Sequence, residues 1–231
     1  MIEAEYISKN YEKHLKIINH YIKGDRKEKV LSMLDELSDT YVMAPASGKA
    51  WYHNAFAGGY VDHVNRVVEY ALKQHKMYKE MGGTTNYSEE QLVFSALFHD
   101  LGKLGDGIQP NYLPQTDKWR QDKLSEKYKN NPDIDFMLIQ DDQQEFIAIR
   151  VHDGVFDKAN EAYFFSYQES SRQKTNLVSV LHTADFLASK VEYDLWKKTQ
   201  NNSPSKPQNV KSSTGRPVKA SEGLTNLLKN I

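Results

Sequence analysis

Wherever large apolar residues are dense in this chain, they recur every three or four positions, and they rarely alternate one-in, one-out. That period belongs to helices that bury one face; the two-residue period of a half-buried strand is almost absent. Tyr11, Leu15, Ile18 and Ile22 keep it across residues 3–22, and Val30, Leu31, Leu34 and Leu37 keep it after the break at Gly24 and Asp25. Val64, Val67, Val68 and Leu72 share one face of a helix from Tyr60 to about Met81, which Gly82 and Gly83 end. In SEEQ, Gln91 stands three residues after Ser88, the spacing of a capping box, and the helix it opens runs LVFSALFHDL to near Gly102. A further helix ends near His152, and the last long one, from about Thr175 to Thr199, carries Leu177, Val180, Leu181, Ala184, Leu187 and Val191 inward. The expected fold class is all-α.

At 231 residues the chain suits one helical domain over 1–200, with its core at about 40–195 and the N-terminal helices packed on it. Residues 44–59, rich in Gly, Ala and Ser, read as a loop, and the polar stretch from Gly105, with two prolines before Trp119, reads as an insert of loop plus a short helix. Beyond Gln200 the composition turns polar, basic and Pro- and Ser-rich, so 201–231 is expected to be a flexible tail. It closes on Leu224, Leu227, Leu228 and Ile231 at helical spacing, a short amphipathic segment suited to docking on its own domain or on a protein partner.

Net charge of -1 and a pI near 6.7 give no bulk basic field for nucleic acid or membrane. No apolar run approaches the roughly 18–20 residues of a spanning helix, and the start lacks the apolar stretch of a signal peptide; the expected compartment is the cytoplasm of a bacterium or a virus-infected cell. The absence of cysteine excludes disulfides, thiolate metal sites and cysteine nucleophiles. Any metal would have to be held by His, Asp or Glu, a set that accepts Mn, Co, Fe, Mg, Ni or Zn.

Such a set is present. His99 and Asp100 are adjacent at the end of an apolar helical run, about 100° apart around the axis, so both can face one ion near the terminus. His63 in GGYVDHVNRVV and Asp185 in LHTADFLASK lie on other helices, from which a bundle can bring ligands together. Two imidazoles and two carboxylates would leave open positions for water and substrate; the ion would lower the water's pKa and neutralise charge developing on a phosphate oxygen.

HD followed by LGK at a helix end, with GGYVDH upstream and ADFLAS downstream, resembles the HD-domain metal-dependent phosphohydrolase superfamily over roughly residues 40–195. The resemblance implies an all-α bundle with ligands in the order His, His-Asp, Asp, here His63, His99, Asp100 and Asp185. His53, Gly58 and Gly59 also match a His-His-x-x-x-Gly-Gly stretch of one subgroup, in which Asn54 stands where the second His would be. His152 resembles a ligand of binuclear members, and His182, one turn before Asp185, can serve as ligand, phosphate donor or proton carrier; with both, a second metal follows. Lys103 and Arg66, each about a turn after a ligand, and His53 are candidates to hold phosphate, and Asp153 to orient a ligating His from behind.

The implied activity is hydrolysis of a nucleotide or related small phosphoester by a metal-activated water, with a homodimer through helices as the expected assembly. Alternatives are a phosphodiesterase or exonuclease acting on single-stranded nucleic acid or a cyclic nucleotide, a di-iron oxygenase of the same fold, and a non-enzymatic module recruited through the tail. Nucleic acid is the less favoured substrate, given the near-neutral surface. His14, His20 and His75 fall in highly charged helices and read as surface residues.

Overall fold

The computed structural model describes residues 4–48, 54–104, 144–156, 158–164 and 177–201, and the expectations for His53, the insert and the tail lie outside them. Among the described residues there is no strand, and the all-α expectation holds. The long helices are α1 (Ala4–Tyr21), α2 (Gly24–Met43), α3 (Gly59–Glu80) and α4 (Glu89–Phe98), the last followed by a 3-10 turn over Leu101–Leu104. A short α5 (Gln144–Arg150), two 3-10 turns, a single-turn α6 (Glu161–Phe164) and the long α7 (Leu177–Asn201) complete the set. No helix among them is long and apolar enough to cross a membrane.

α3 is the hub: α7 and α4 lie along it, α1 and α2 also pack on it, and α5 closes against α4 and α7. The reason is legible in α4. Every residue from Gln91 to Phe98 is buried, which suits a stretch apolar on nearly all faces. The Ser88 hydroxyl accepts from the Gln91 amide at 3.2 Å, while the Gln91 side chain accepts from the Ser88 amide at 2.8 Å, so the capping box starts this helix as its spacing predicts. Leu92, Leu97, Leu177, Leu181, Val64 and Val67 form the centre of the core. Leu97→Ala is expected to cost about 2–5 kcal/mol, read as a shift in the urea midpoint.

The Gly-rich entry to α3 is a matter of space. Gly58 has φ +80, and a Cβ on Gly59 would sit 2.1 Å from the Asn54 carbonyl oxygen, so the chain can turn under α3 only without side chains there.

Two of the three histidines expected at the surface are inside. His20 is exposed, but His14 and His75 are buried. His14 lies on the face of α1 that meets α2 and α3: its Nδ1 pairs with the Asn65 side-chain oxygen at 2.9 Å, and the Tyr41 hydroxyl pairs with its Nε2 at 2.8 Å. His75 pairs through Nδ1 with the Tyr87 hydroxyl at 3.2 Å. Partners on other segments made room for these rings, and the charge density of their own helices concealed it.

Candidate metal centre

The polar centre of the bundle collects three imidazoles and two carboxylates from four separate segments. His63 comes from the first turns of α3, His99 and Asp100 from the end of α4, His152 from the turn after α5 and Asp185 from the middle of α7. His63, His99 and Asp100 are wholly buried, and His152 nearly so. Only Asp185 reaches solvent, with 23% of its side chain exposed.

Each ring is held from behind. His99 Nδ1 donates to the Ala96 carbonyl at 2.8 Å, and His152 Nδ1 donates to the Ile149 carbonyl at 2.6 Å. His63 Nδ1 faces the Glu192 carboxylate, 3.1 Å from each oxygen. A carbonyl or carboxylate can only accept, so Nδ1 carries a proton and Nε2 is the nitrogen offered inward. The inner nitrogens converge on the aspartates. His63 Nε2 is 3.2 Å from Asp185 Oδ1 and 3.5 Å from Asp100 Oδ2. His99 Nε2 is 3.4 Å from Asp100 Oδ2 and 3.8 Å from Asp185 Oδ1, and His152 Nε2 is 3.3 Å from Asp100 Oδ1.

Two overlapping triads, His63–His99–Asp100 and His99–His152–Asp185, each bring one ligand atom per residue within 4.8 Å of one another. These groups can hold a metal ion. The donor chemistry fits a divalent cation of borderline hardness, since imidazole nitrogens and carboxylate oxygens are its ordinary ligands and each ring is oriented by an outer acceptor.

The electrostatics agree. Burial would raise the Asp100 carboxyl, but Lys103 and His99 beside it, with hydrogen bonds from His152 and His63, hold it well below the usual carboxylate range. Asp185 is likewise lowered against its burial, by His63 and His99. Burial would lower His152, yet Asp100, Asp153 and Asp185 carry it up to about 9. His63 is raised well above its ordinary value in the same way, by Glu192, Asp100 and Asp185 outweighing burial. A field negative enough to keep protons on buried imidazoles is one that attracts a cation, and protons and metal compete for the same lone pairs.

Comparison of the chain with protein-family models, with curated proteins and with solved structures returns no match in any of the three. The reading of this site rests on its own residues.

The remaining candidates fall into different places. Lys103 is buried, and its ammonium pairs with Asp100 Oδ2. Arg66, expected to hold phosphate, spans two carboxylates instead: Nε lies 3.2 Å from Glu192 and Nη2 3.1 Å from Asp62. Asp153 was expected behind a ligating ring, but its Oδ1 lies 3.9 Å from the inner nitrogen of His152, and the outer nitrogen is held by a backbone carbonyl. His182 belongs to neither triad. Its Nδ1 donates to the His152 carbonyl at 2.9 Å and its ring meets Phe164 edge-on, so it fastens the turn that carries His152.

That turn is tight. Gly154 has φ +61, and a Cβ there would lie 2.3 Å from the His182 ring. Gly154→Ala is expected to cost at least about 1–2 kcal/mol from the left-handed backbone alone, with the ring overlap added, and to displace His152. Chemical denaturation measures the first effect and metal titration the second.

Sequence reasoning missed Glu192. It lies seven residues after Asp185, two turns along the same face of α7, and that spacing was the available signal.

Proposed function

We propose that this chain is a divalent-metal-dependent phosphohydrolase of the HD superfamily, acting on a nucleotide or a related small phosphoester. The observation that carries the reading is the meeting of His63, His99, Asp100 and Asp185 in the bundle centre, with Asp185 Oδ1 3.2 Å from His63 Nε2 although 122 positions separate them in the chain. A bound divalent ion would supply a water of lowered pKa and neutralise charge developing on a phosphate oxygen.

The chain's own residues divide the rest of the work. His63, His99 and His152 present Nε2, each fixed by its outer hydrogen bond, and Asp100 and Asp185 supply negative charge. Asp185 and Asp153 are the partly exposed members, so the side of the site that they line is where a substrate would enter. Lys103 lies beside Asp100, where an ammonium can neutralise phosphate oxygens, and His182 holds the turn that carries His152. His152, 3.3 Å from Asp100, is the residue that would help hold a second ion within this reading.

The test is phosphate release from nucleoside mono-, di- and triphosphates with Mn, Co, Mg or Fe, together with elemental analysis of protein purified without added metal. Metal-dependent release is the expected result, and one or two ions per chain decides the role of His152. Release from none of the substrates would overturn the reading. Iron-coloured, oxygen-consuming protein without phosphatase activity would replace it with an oxygenase.

A further inference from the structure

The inner face of α7 is apolar at Leu177, Leu181, Ala184 and Ala188, and then carries Glu192, only 1% exposed. Packing gives no reason for this residue, since a leucine would continue the stripe, and a buried carboxylate is costly unless paired. Glu192 is paired on two sides. Both its oxygens face His63 Nδ1 at 3.1 Å, and Arg66 Nε approaches Oε1 at 3.2 Å. Arg66 is itself held by Asp62 at 3.1 Å, and Asp62 accepts from Asn54 Nδ2 at 2.6 Å and from the Tyr6 hydroxyl at 2.9 Å. A continuous polar relay therefore runs from α1 and the loop before α3 to the back of one imidazole.

We propose that Glu192, backed by Arg66, is a positioning residue that locks the ring and tautomer of His63 so that Nε2 is presented as a metal ligand. This rests on the metal-centre reading above and goes beyond its ligand set. His99 and His152 are held by backbone carbonyls within their own turns, whose dipoles come with the fold. His63 lies where α3 has only just begun, and a side chain from another helix takes that role. The carboxylate also makes the imidazole a stronger donor than a carbonyl would, and Arg66 offsets the charge that Glu192 brings into the core.

The experiment uses the full chain and cobalt(II), followed by calorimetric titration and by the visible bands of the bound ion, which report coordination geometry. Wild type is expected to bind. Glu192→Gln keeps an acceptor but loses the charge, and is expected to weaken cobalt affinity about 10- to 100-fold and to change the visible bands. Glu192→Ala is expected to weaken it further, and Asp62→Asn, which lies behind Arg66 in the relay, by less. A merely structural ion pair would instead lower the Tm of the Glu192 variants while leaving affinity and spectrum unchanged, and that result overturns the proposal. Failure of wild type to bind cobalt would overturn the metal-centre reading itself, so the two failures are distinguishable. Should the Glu192 variants not fold, nitrogen-15 NMR of zinc-loaded wild type decides: a slowly exchanging, strongly downfield His63 Nδ1 proton supports the relay, and its absence refutes it.

Discussion

Under the proposed function, replacing Asp100 by asparagine is expected to abolish metal binding and to lower metal-dependent phosphate release by about a thousandfold. The size follows from the several kcal/mol that a catalytic ion supplies to charge stabilisation, at about 1.4 kcal/mol per factor of ten. Asp100 is the residue whose loss matters most, because its two oxygens lie 3.3–3.5 Å from the inner nitrogens of all three histidines. Asparagine keeps its shape and is preferred to alanine for this test, since it leaves a polar oxygen beside the buried Lys103 ammonium. Activity measured well below the variant's own Tm, with bound metal quantified in the same samples, separates lost chemistry from lost fold.

Stability is expected to fall in acid more steeply than it would without His14. Burial pushes the pKa of His14 down to about 4 against an ordinary 6.5, the Asn65 contact opposing only part of it. The folded protein thus prefers the neutral ring. This contribution is whole above pH 6.5, is lost as pH falls from 6.5 towards 4, and levels off once the folded form also takes the proton. The difference corresponds to roughly 3 kcal/mol at the extreme. His63 and His152 are raised and so act in the opposite sense, their share being present at low pH and lost as pH rises through the folded values. The clean measurement is therefore a comparison: urea stability from pH 7 to 4.5 for wild type and His14→Gln. The variant should lack the steep part of the acid loss, and parallel curves would show that His14 does not supply it.

The helices were legible because burial on one face leaves a period in the apolar residues, and the start of α4 was legible because a capping box is local chemistry. The candidate cluster was legible for a related reason: His63, His99, Asp100 and Asp185 are polar groups inside otherwise apolar segments, where an unpaired charge would be costly. What escaped was set by partners remote in sequence. Glu192 finds His63 129 residues away, and Arg26 finds Glu145 at a separation of 119. The Asp62–Arg66 pair is an i,i+4 contact that the sequence offered, but nothing local to Arg66 told that it would also turn to Glu192, and nothing local to His182 told that it would grip the backbone of His152. Periodicity names the face of a helix. It does not name the neighbour that the face will meet.

The contact between α2 and α5 has a bearing on how this protein could be divided. Arg26 reaches Glu145 at 2.6 Å in the interior and stacks its guanidinium 3.8 Å from the centre of the Phe94 ring. Glu145 opens the short helix that leads into His152, and Phe94 belongs to the one that leads into His99 and Asp100. The first two helices are thus a buttress rather than an appendage. A version beginning near Ala44 would take the guanidinium away from Glu145 and from the Phe94 ring, and so loosen the scaffolding of two turns in the candidate centre; this bundle is not modular at its amino-terminal side.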